Sequence, residues 1–151
     1  MHNHNNYSSV ASALGAECSF VLVTYANAVA IHDSMISEYG GTSGVRDAHL
    51  LRSAVGRQLH TIAYGANASI SSIAASLAFG VAQNHAFLDG NKRTAFGCMI
   101  AFCDANGIAL DYDPVEAHQV FIELAAGRIS EQEMAEWISR IMASNDPAPS
   151  V

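Results

Sequence analysis

Residues 85–93 read HAFLDGNKR and place a histidine, a carboxylate, an amide and two cations within one short stretch. Lys92, the only lysine of the chain, stands beside Arg93 and just after a Gly-Asn pair. No charged residue follows until Asp104, which predicts an apolar helix that begins at these two cations. Cations in the first turn of a helix are repelled by its dipole unless an anion offsets them. The stretch therefore predicts a binding site for an anion such as a phosphate.

The other polar residues of residues 85–93 suit phosphoryl-type transfer. Asp89 supplies a carboxylate, which together with phosphate oxygens is the kind of ligand that Mg²⁺ prefers. His85 supplies an imidazole, which can accept a proton from a hydroxyl at neutral pH. Gly90 permits a tight backbone turn ahead of Asn91, where the N–H groups of a helix start are free. We therefore predict a base, a metal ligand and an anion-binding helix start in one loop.

Several other chemical groups are predicted to be structural. A zinc site at His85 and Asp89 is the weaker alternative, because no third ligand stands at a recognisable spacing. Phe87 is predicted to be a buried anchor of the loop. The remaining histidines are predicted to be ordinary structural residues, namely His2, His4, His32, His49, His60 and His118. Three arginines are predicted to be surface charges of the second helix, or else to face an acidic partner: Arg46, Arg52 and Arg57.

Composition and charge narrow the class of protein. A chain of 151 residues that is 50% hydrophobic suits one compact domain. Its net charge of -7 falls entirely after Arg93, and the chain has no basic stripe that could neutralise the phosphates of a nucleic acid. No apolar run approaches the roughly 18 residues that cross a bilayer. We therefore expect a soluble cytoplasmic protein that binds neither nucleic acid nor membrane.

The three cysteines of the chain are predicted to be reduced. Cys98 and Cys103 share an apolar stretch, and their spacing matches no metal-binding or redox motif. An odd number of cysteines also argues against a framework of disulfides. With Cys18, they are therefore expected to be packing residues in a reducing compartment.

Helical spacing of apolar residues predicts an all-α fold of about six helices around the motif. The predicted helices run over residues 19–38, 48–60, 69–84, 91–105, 113–127 and 130–143. The third and fourth are apolar nearly all round, so the polar loop between them should lie between the two most buried helices. The ends, residues 1–16 and 144–151, are expected to be disordered, which leaves 17–143 as a compact helical bundle.

HAFLDGNKR resembles the signature of the Fic/Doc superfamily, His-x-Phe-x-(Asp/Glu)-Gly-Asn-(Gly or Lys)-Arg. The resemblance extends beyond the loop. IHDSMISEYGG at 31–41 and GVRDAHLLRSAV at 44–55 are similar to the opening of the Doc branch, and AAGRISEQEMAEWISR at 125–140 is similar to its close. The similarity thus covers residues 24–141 and implies the helical Fic fold.

The resemblance also implies a role for each residue of the loop. It implies that His85 is the base for the hydroxyl of a target protein and that Asp89 is the ligand of Mg²⁺. It further implies that Gly90, Asn91 and Arg93 bind the phosphates of ATP.

Two positions favour one branch of the superfamily. The AMP-transferring pattern has glycine at the position of Lys92 and a second arginine at that of Phe96. Both changes match the Doc branch, in which ATP lies reversed and its γ-phosphoryl group passes to the target. Lys92 and Arg93 then count among the catalytic as well as the nucleotide-binding residues. An AMP-transferase remains the first alternative, and a non-catalytic module that binds an anion or a partner is the second.

The resemblance to the Doc branch implies a toxin and two protein partners. The implied target is elongation factor Tu, whose phosphorylation on a threonine blocks translation. The nearest match to the inhibitory helix of other Fic proteins, SMISEY at 34–39, ends in Tyr39 and lies within the Doc-like opening. Restraint is therefore expected from a Phd-like antitoxin, whose C-terminal segment folds into the groove beside the site.

Overall fold

A computed structural model describes residues 19–65 and 67–143 of the chain. These residues form six α-helices, as predicted, and no strand. The helices are α1 (Tyr25–Tyr39), α2 (Ala48–Tyr64), α3 (Ile70–Asn84), α4 (Asn91–Ala105), α5 (Pro114–Ala125) and α6 (Glu131–Ala143). None of them is long and apolar enough to span a bilayer. The predicted disordered ends, 1–16 and 144–151, lie outside the described residues, as do Cys18, His2 and His4.

Helix α1 begins at Tyr25, later than the predicted start at residue 19. Thr24 exchanges reciprocal hydrogen bonds with the residue three positions on, and this capping box starts the helix there. Just upstream, the backbone N–H and C=O of Val23 bind the side-chain amide of Gln58 in α2 at 3.0 and 2.8 Å. The apolar residues before Thr24 therefore form a non-helical segment that is bound to α2, although their spacing is compatible with a helix.

Four of the other helices start after a capping side chain, whereas α4 follows Gly90 without one. Asp47, Ser69, Asp113 and Ser130 each accept a hydrogen bond from a backbone N–H in the first turn of their helix. Helix α2 continues to Tyr64, beyond its predicted end near residue 60, because no residue before Gly65 interrupts its hydrogen bonds.

Helix α3 occupies the centre of the bundle and packs against α2, α4 and α6. Nine of its residues are buried, from Ile73 to Ala82, and α4 has seven buried residues. The prediction that these two helices are the interior ones is confirmed. Burial raises the pKa of the Cys98 and Cys103 thiols to about 12, with a smaller contribution from Asp104 at Cys103. Both are free, buried packing residues, as predicted, and neither is a thiolate at neutral pH.

Candidate active site

The motif occupies the loop between α3 and α4, as predicted. His85 ends α3 in the left-handed conformation, with φ of 51° and ψ of 44°. Among the described residues it is the one non-glycine residue with positive φ. Gly90 is also left-handed, with φ of 75°, and precedes the first residue of α4. The loop thus turns sharply at both ends and holds residues 86–89 between the two helices.

The first half of the loop is fastened to the core through Phe87. Its ring is buried and stacks on that of His32 in α1, with 4.0 Å between the ring centroids. The side-chain amide of Asn91 binds both the N–H and the C=O of Phe87, each at 3.0 Å. Phe87 is therefore the buried anchor that was predicted. Because the Asn91 amide fastens the loop, its predicted contact with a nucleotide stays a prediction.

Asp89 presents an exposed carboxylate at the edge of the loop. Its two oxygens accept backbone N–H groups, one from Thr42 at 3.1 Å and one from Gly90 at 2.8 Å. These hydrogen bonds, led by that of Thr42, lower the pKa of the Asp89 carboxyl, and Arg93 adds to the effect. The carbonyl of the same residue accepts a hydrogen bond of 2.8 Å from Nε2 of His32. Asp89 is therefore a fixed carboxylate that stays ionised well below neutral pH.

The cations of the motif lie exposed in the first turn of α4. The guanidinium of Arg93 stands over the ring of Tyr39, at 4.8 Å from its centroid, and Lys92 lies beside it. Tyr39 is 56% exposed, so this contact leaves the guanidinium open to a ligand. Two cations, the free N–H groups and the dipole of the helix start together favour an anion at this place.

All the predicted site residues line one cavity of about 1040 Å³. The motif contributes His85 and residues 88–93, and α1 contributes Met35 and Tyr39. Another part of the wall belongs to α5 and the residue that follows it, and it presents apolar side chains together with one histidine. The residues of that wall are Pro114, Ala117, His118, Phe121, Ile122, Ala125 and Ala126. The loop therefore opens into a groove that is charged at one side and largely apolar at the other.

Two residues that hold the loop were not predicted to do so. His32 was expected to be an ordinary structural histidine, and it is buried, but it also fixes Phe87 and Asp89. Arg46 was assigned to the surface of the second helix. It precedes α2 instead, and its guanidinium binds the carbonyl of His85. No local spacing indicates either contact, because the partners are distant in sequence.

The other two arginines that were predicted to be surface charges also have partners. Arg57 is half-buried, pairs with Glu131 of α6 and donates to the carbonyl of Ser76 in α3 at 3.2 Å. It therefore joins three helices. Arg52 is exposed and lies over the ring of Tyr25, at 5.0 Å from its centroid. Arg57 thus forms a structural ion pair within the bundle, whereas Arg52 is a surface charge, as predicted.

The geometry agrees with comparisons to known proteins. A model of the Fic/DOC family matches residues 22–103, which include α3, the whole loop and α4 up to Cys103. The chain belongs to the Fic/DOC family. It is 31% identical to the protein kinase doc of Escherichia phage P1 over 116 residues. The aligned residues cover 77% of this chain and 91% of the phage protein.

A second relative belongs to the same branch. The toxin Doc of Mycolicibacterium smegmatis is 41% identical over 91 residues, which cover 58% of this chain and 69% of that toxin. The names of both relatives support the sequence-based prediction of a Doc-type toxin with kinase activity. The prediction that the chain resembles the Doc branch of the superfamily is confirmed.

Proposed function

We propose that this chain is a Doc-type toxin, a protein kinase that transfers the γ-phosphoryl group of ATP to a serine or threonine hydroxyl of a target protein. The observation that carries the proposal is the pair Lys92 and Phe96, which both line the cavity beside the start of α4. They stand where the AMP-transferring pattern has a glycine and a second arginine. The relative named a protein kinase supports the same choice.

The proposed reaction uses the residues of the loop in distinct roles. The target hydroxyl attacks the γ-phosphorus, its O–P bond forms, and the bond from that phosphorus to the β-phosphate oxygen breaks to release ADP. The imidazole of His85 takes the hydroxyl proton. Lys92 and Arg93 stabilise the negative charge of the phosphates, lysine as a point charge and arginine through two oxygens at once. Gly90 and Asn91 shape the helix start that receives the phosphates.

The Asp89 carboxylate suits a magnesium ion. Each of its oxygens accepts one backbone N–H, so lone pairs remain on both, and its lowered pKa keeps it charged. Among the described residues no group of three or more potential metal-ligating side chains occurs. Mg²⁺ fits such a place, because proteins commonly hold it through one or two carboxylates together with substrate phosphates. When bound there, it would offset charge on the phosphate oxygens.

The proposed phosphoryl transfer is tested with labelled nucleotide. The protein is incubated with Mg²⁺, purified elongation factor Tu as the proposed target, and ATP labelled at either the α- or the γ-phosphate. Label from the γ-position alone, with the mass gain of one phosphoryl group on the target, is the expected result. Label from the α-position with the mass gain of AMP would identify an AMP-transferase instead. Absence of both labels from every candidate target would favour the binding module.

The toxin names of the relatives also support an antitoxin partner, and we propose a Phd-like one. The α5 wall of the cavity supports this, because it is largely apolar and Ile122 is only partly buried in it, which suits an amphipathic segment. The substitution Ile122→Glu should weaken binding of the antitoxin's C-terminal peptide in calorimetry. Val115→Glu is the matched control, because Val115 is 78% exposed on the same helix and does not line the cavity. If both variants bound the antitoxin peptide with equal affinity, the antitoxin would not bind at the α5 wall of the cavity.

A further inference from the structure

The guanidinium of Arg46 holds the carbonyl oxygen of His85. Nε donates a hydrogen bond of 2.9 Å to that oxygen, and Nη2 donates one of 2.6 Å. Hydrogen bonds from a charged donor are stronger than neutral ones, and two that converge on one oxygen restrict its position. The orientation of the peptide group that follows His85 therefore depends on Arg46.

The backbone of His85 needs such support. A residue with a Cβ atom enters the left-handed region only at a cost in free energy, and structures retain it where surrounding contacts impose it. The φ of 51° at His85 also decides the direction in which its Cβ leaves the chain. The imidazole reaches the cavity from this backbone conformation. A change in φ at this residue would therefore move the proposed base.

Arg46 is itself held in place by backbone pairing with the motif. The N–H groups of Arg46 and Asp47 both donate to the carbonyl of Ala86, at 2.7 and 3.1 Å. The N–H of Leu88 donates to the carbonyl of Gly44 at 3.1 Å. Residues 44–47 thus run beside the first half of the loop and present the arginine to His85. Among the described residues, the cavity wall does not include Arg46.

We propose that Arg46 is a positioning residue, which keeps the imidazole of His85 directed into the cavity by holding its carbonyl. The inference rests on the proposed kinase function and deepens it. Since Arg46 does not line the nucleotide cavity, its loss should lower turnover and leave the affinity for ATP unchanged. Misplacing a reacting group by about 1 Å can cost about 100-fold in rate. We therefore expect kcat to fall about 10- to 100-fold in Arg46→Met.

The kinetic test compares three variants. Arg46→Met should lower kcat at an unchanged KM for ATP, and Arg46→Lys should recover part of the loss. An ammonium can donate to the same oxygen but lacks the planar fork of arginine. Arg140→Met, an exposed arginine of α6 far along the chain, is the control and should match the parent. An unchanged kcat in Arg46→Met, or a raised KM with kcat retained, would overturn the inference.

A second arm asks whether Arg46 acts through His85. In a His85→Asn background, Arg46→Met should leave the residual rate unchanged, because the group that it positions is already absent. A further loss as large as that in the parent would mean that Arg46 acts directly on the target or the nucleotide, and would overturn the inference.

A structural arm separates this inference from the kinase proposal. The backbone conformation of His85 is followed through the Cα and Cβ chemical shifts of residues 85 and 86, in the parent and in Arg46→Met. We expect these shifts to change in Arg46→Met and to return partly in Arg46→Lys. Failure of the parent to transfer phosphate would reject the proposed function alone. Identical shifts in the parent and Arg46→Met would reject the positioning role, whatever reaction the protein catalyses.

Discussion

The left-handed backbone at His85 limits which substitutions can test its chemistry. Asparagine tolerates this conformation better than alanine and cannot act as a base at neutral pH. His85→Asn should therefore slow transfer of the γ-label about 10²- to 10⁴-fold, the usual contribution of a general base. Its melting temperature should stay close to that of the parent, because the side chain is exposed. Transfer by the variant at the parental rate would show that His85 is not the base.

Lys92 is the residue that distinguishes the two transferase reactions. Lys92→Gly should strongly reduce phosphoryl transfer, because it removes one of two cations at the start of α4. Adding Phe96→Arg restores the second arginine of the AMP-transferring pattern, and the double variant should begin to transfer AMP. Mass analysis of the target after incubation with ATP and Mg²⁺ distinguishes the products. If Lys92→Gly phosphorylates as fast as the parent, Lys92 does not orient the nucleotide.

The single variant Phe96→Arg is the control for folding. The Phe96 ring meets Tyr112 and Phe121 edge-on, with centroid distances of 5.4 and 5.5 Å, and is only partly buried. The aliphatic stem of an arginine can cover part of the same surface. A cooperative thermal unfolding transition would show that Phe96→Arg is folded. Any loss of phosphoryl transfer in the double variant could then be attributed to its active site and not to unfolding.

The close packing of helix α2 against helix α3 depends on Gly80. A Cβ atom at Gly80 would stand 2.6 Å from Cδ of Arg57 and 3.1 Å from Cα of Ala54, both in α2. The two helix backbones therefore approach closely at this point. A larger side chain at Gly80 would push the two helices apart, because it meets the backbone of Ala54 and not only a flexible side chain.

We predict that Gly80→Leu lowers the free energy of unfolding by about 1–3 kcal/mol, the usual cost of overpacking. Gly56→Leu is the matched control in α2, because a Cβ there would meet nothing within 4 Å. It should stabilise the protein by up to about 1 kcal/mol, since leucine has the higher helix propensity. Denaturant unfolding of both variants measures the difference. Equal effects would mean that Gly80 does not limit the spacing of the two helices.

For the whole molecule, the proposed toxin activity predicts an effect on living cells. Overproduction in bacteria should arrest growth, and co-production of the partner antitoxin should restore it. The His85→Asn variant should accumulate without arresting growth, because arrest requires the transfer reaction. Growth rate and the amount of folded protein are measured together. Unchanged growth in cells that contain folded, active parent would count against the toxin.

The helical architecture and the location of the site follow from local features of the sequence. The caps at Asp47, Ser69 and Ser130 are local hydrogen bonds between residues a few positions apart, so their residue types predict them. The apolar character of α3 and α4 likewise predicts their burial. HAFLDGNKR indicated the family because its polar residues are adjacent in the chain.

The contacts that hold the loop in place depend on the tertiary structure. His32 reaches Asp89 across 57 positions and Arg46 reaches His85 across 39, and no periodicity relates such residues. The late start of α1 has the same origin, since Gln58 of α2 binds the backbone of Val23 and the segment before Thr24 is not helical. These contacts form only when α1, α2 and the loop have come together. Local spacing reports hydrogen bonds within an element, whereas side-chain contacts between elements depend on the packing of the whole bundle.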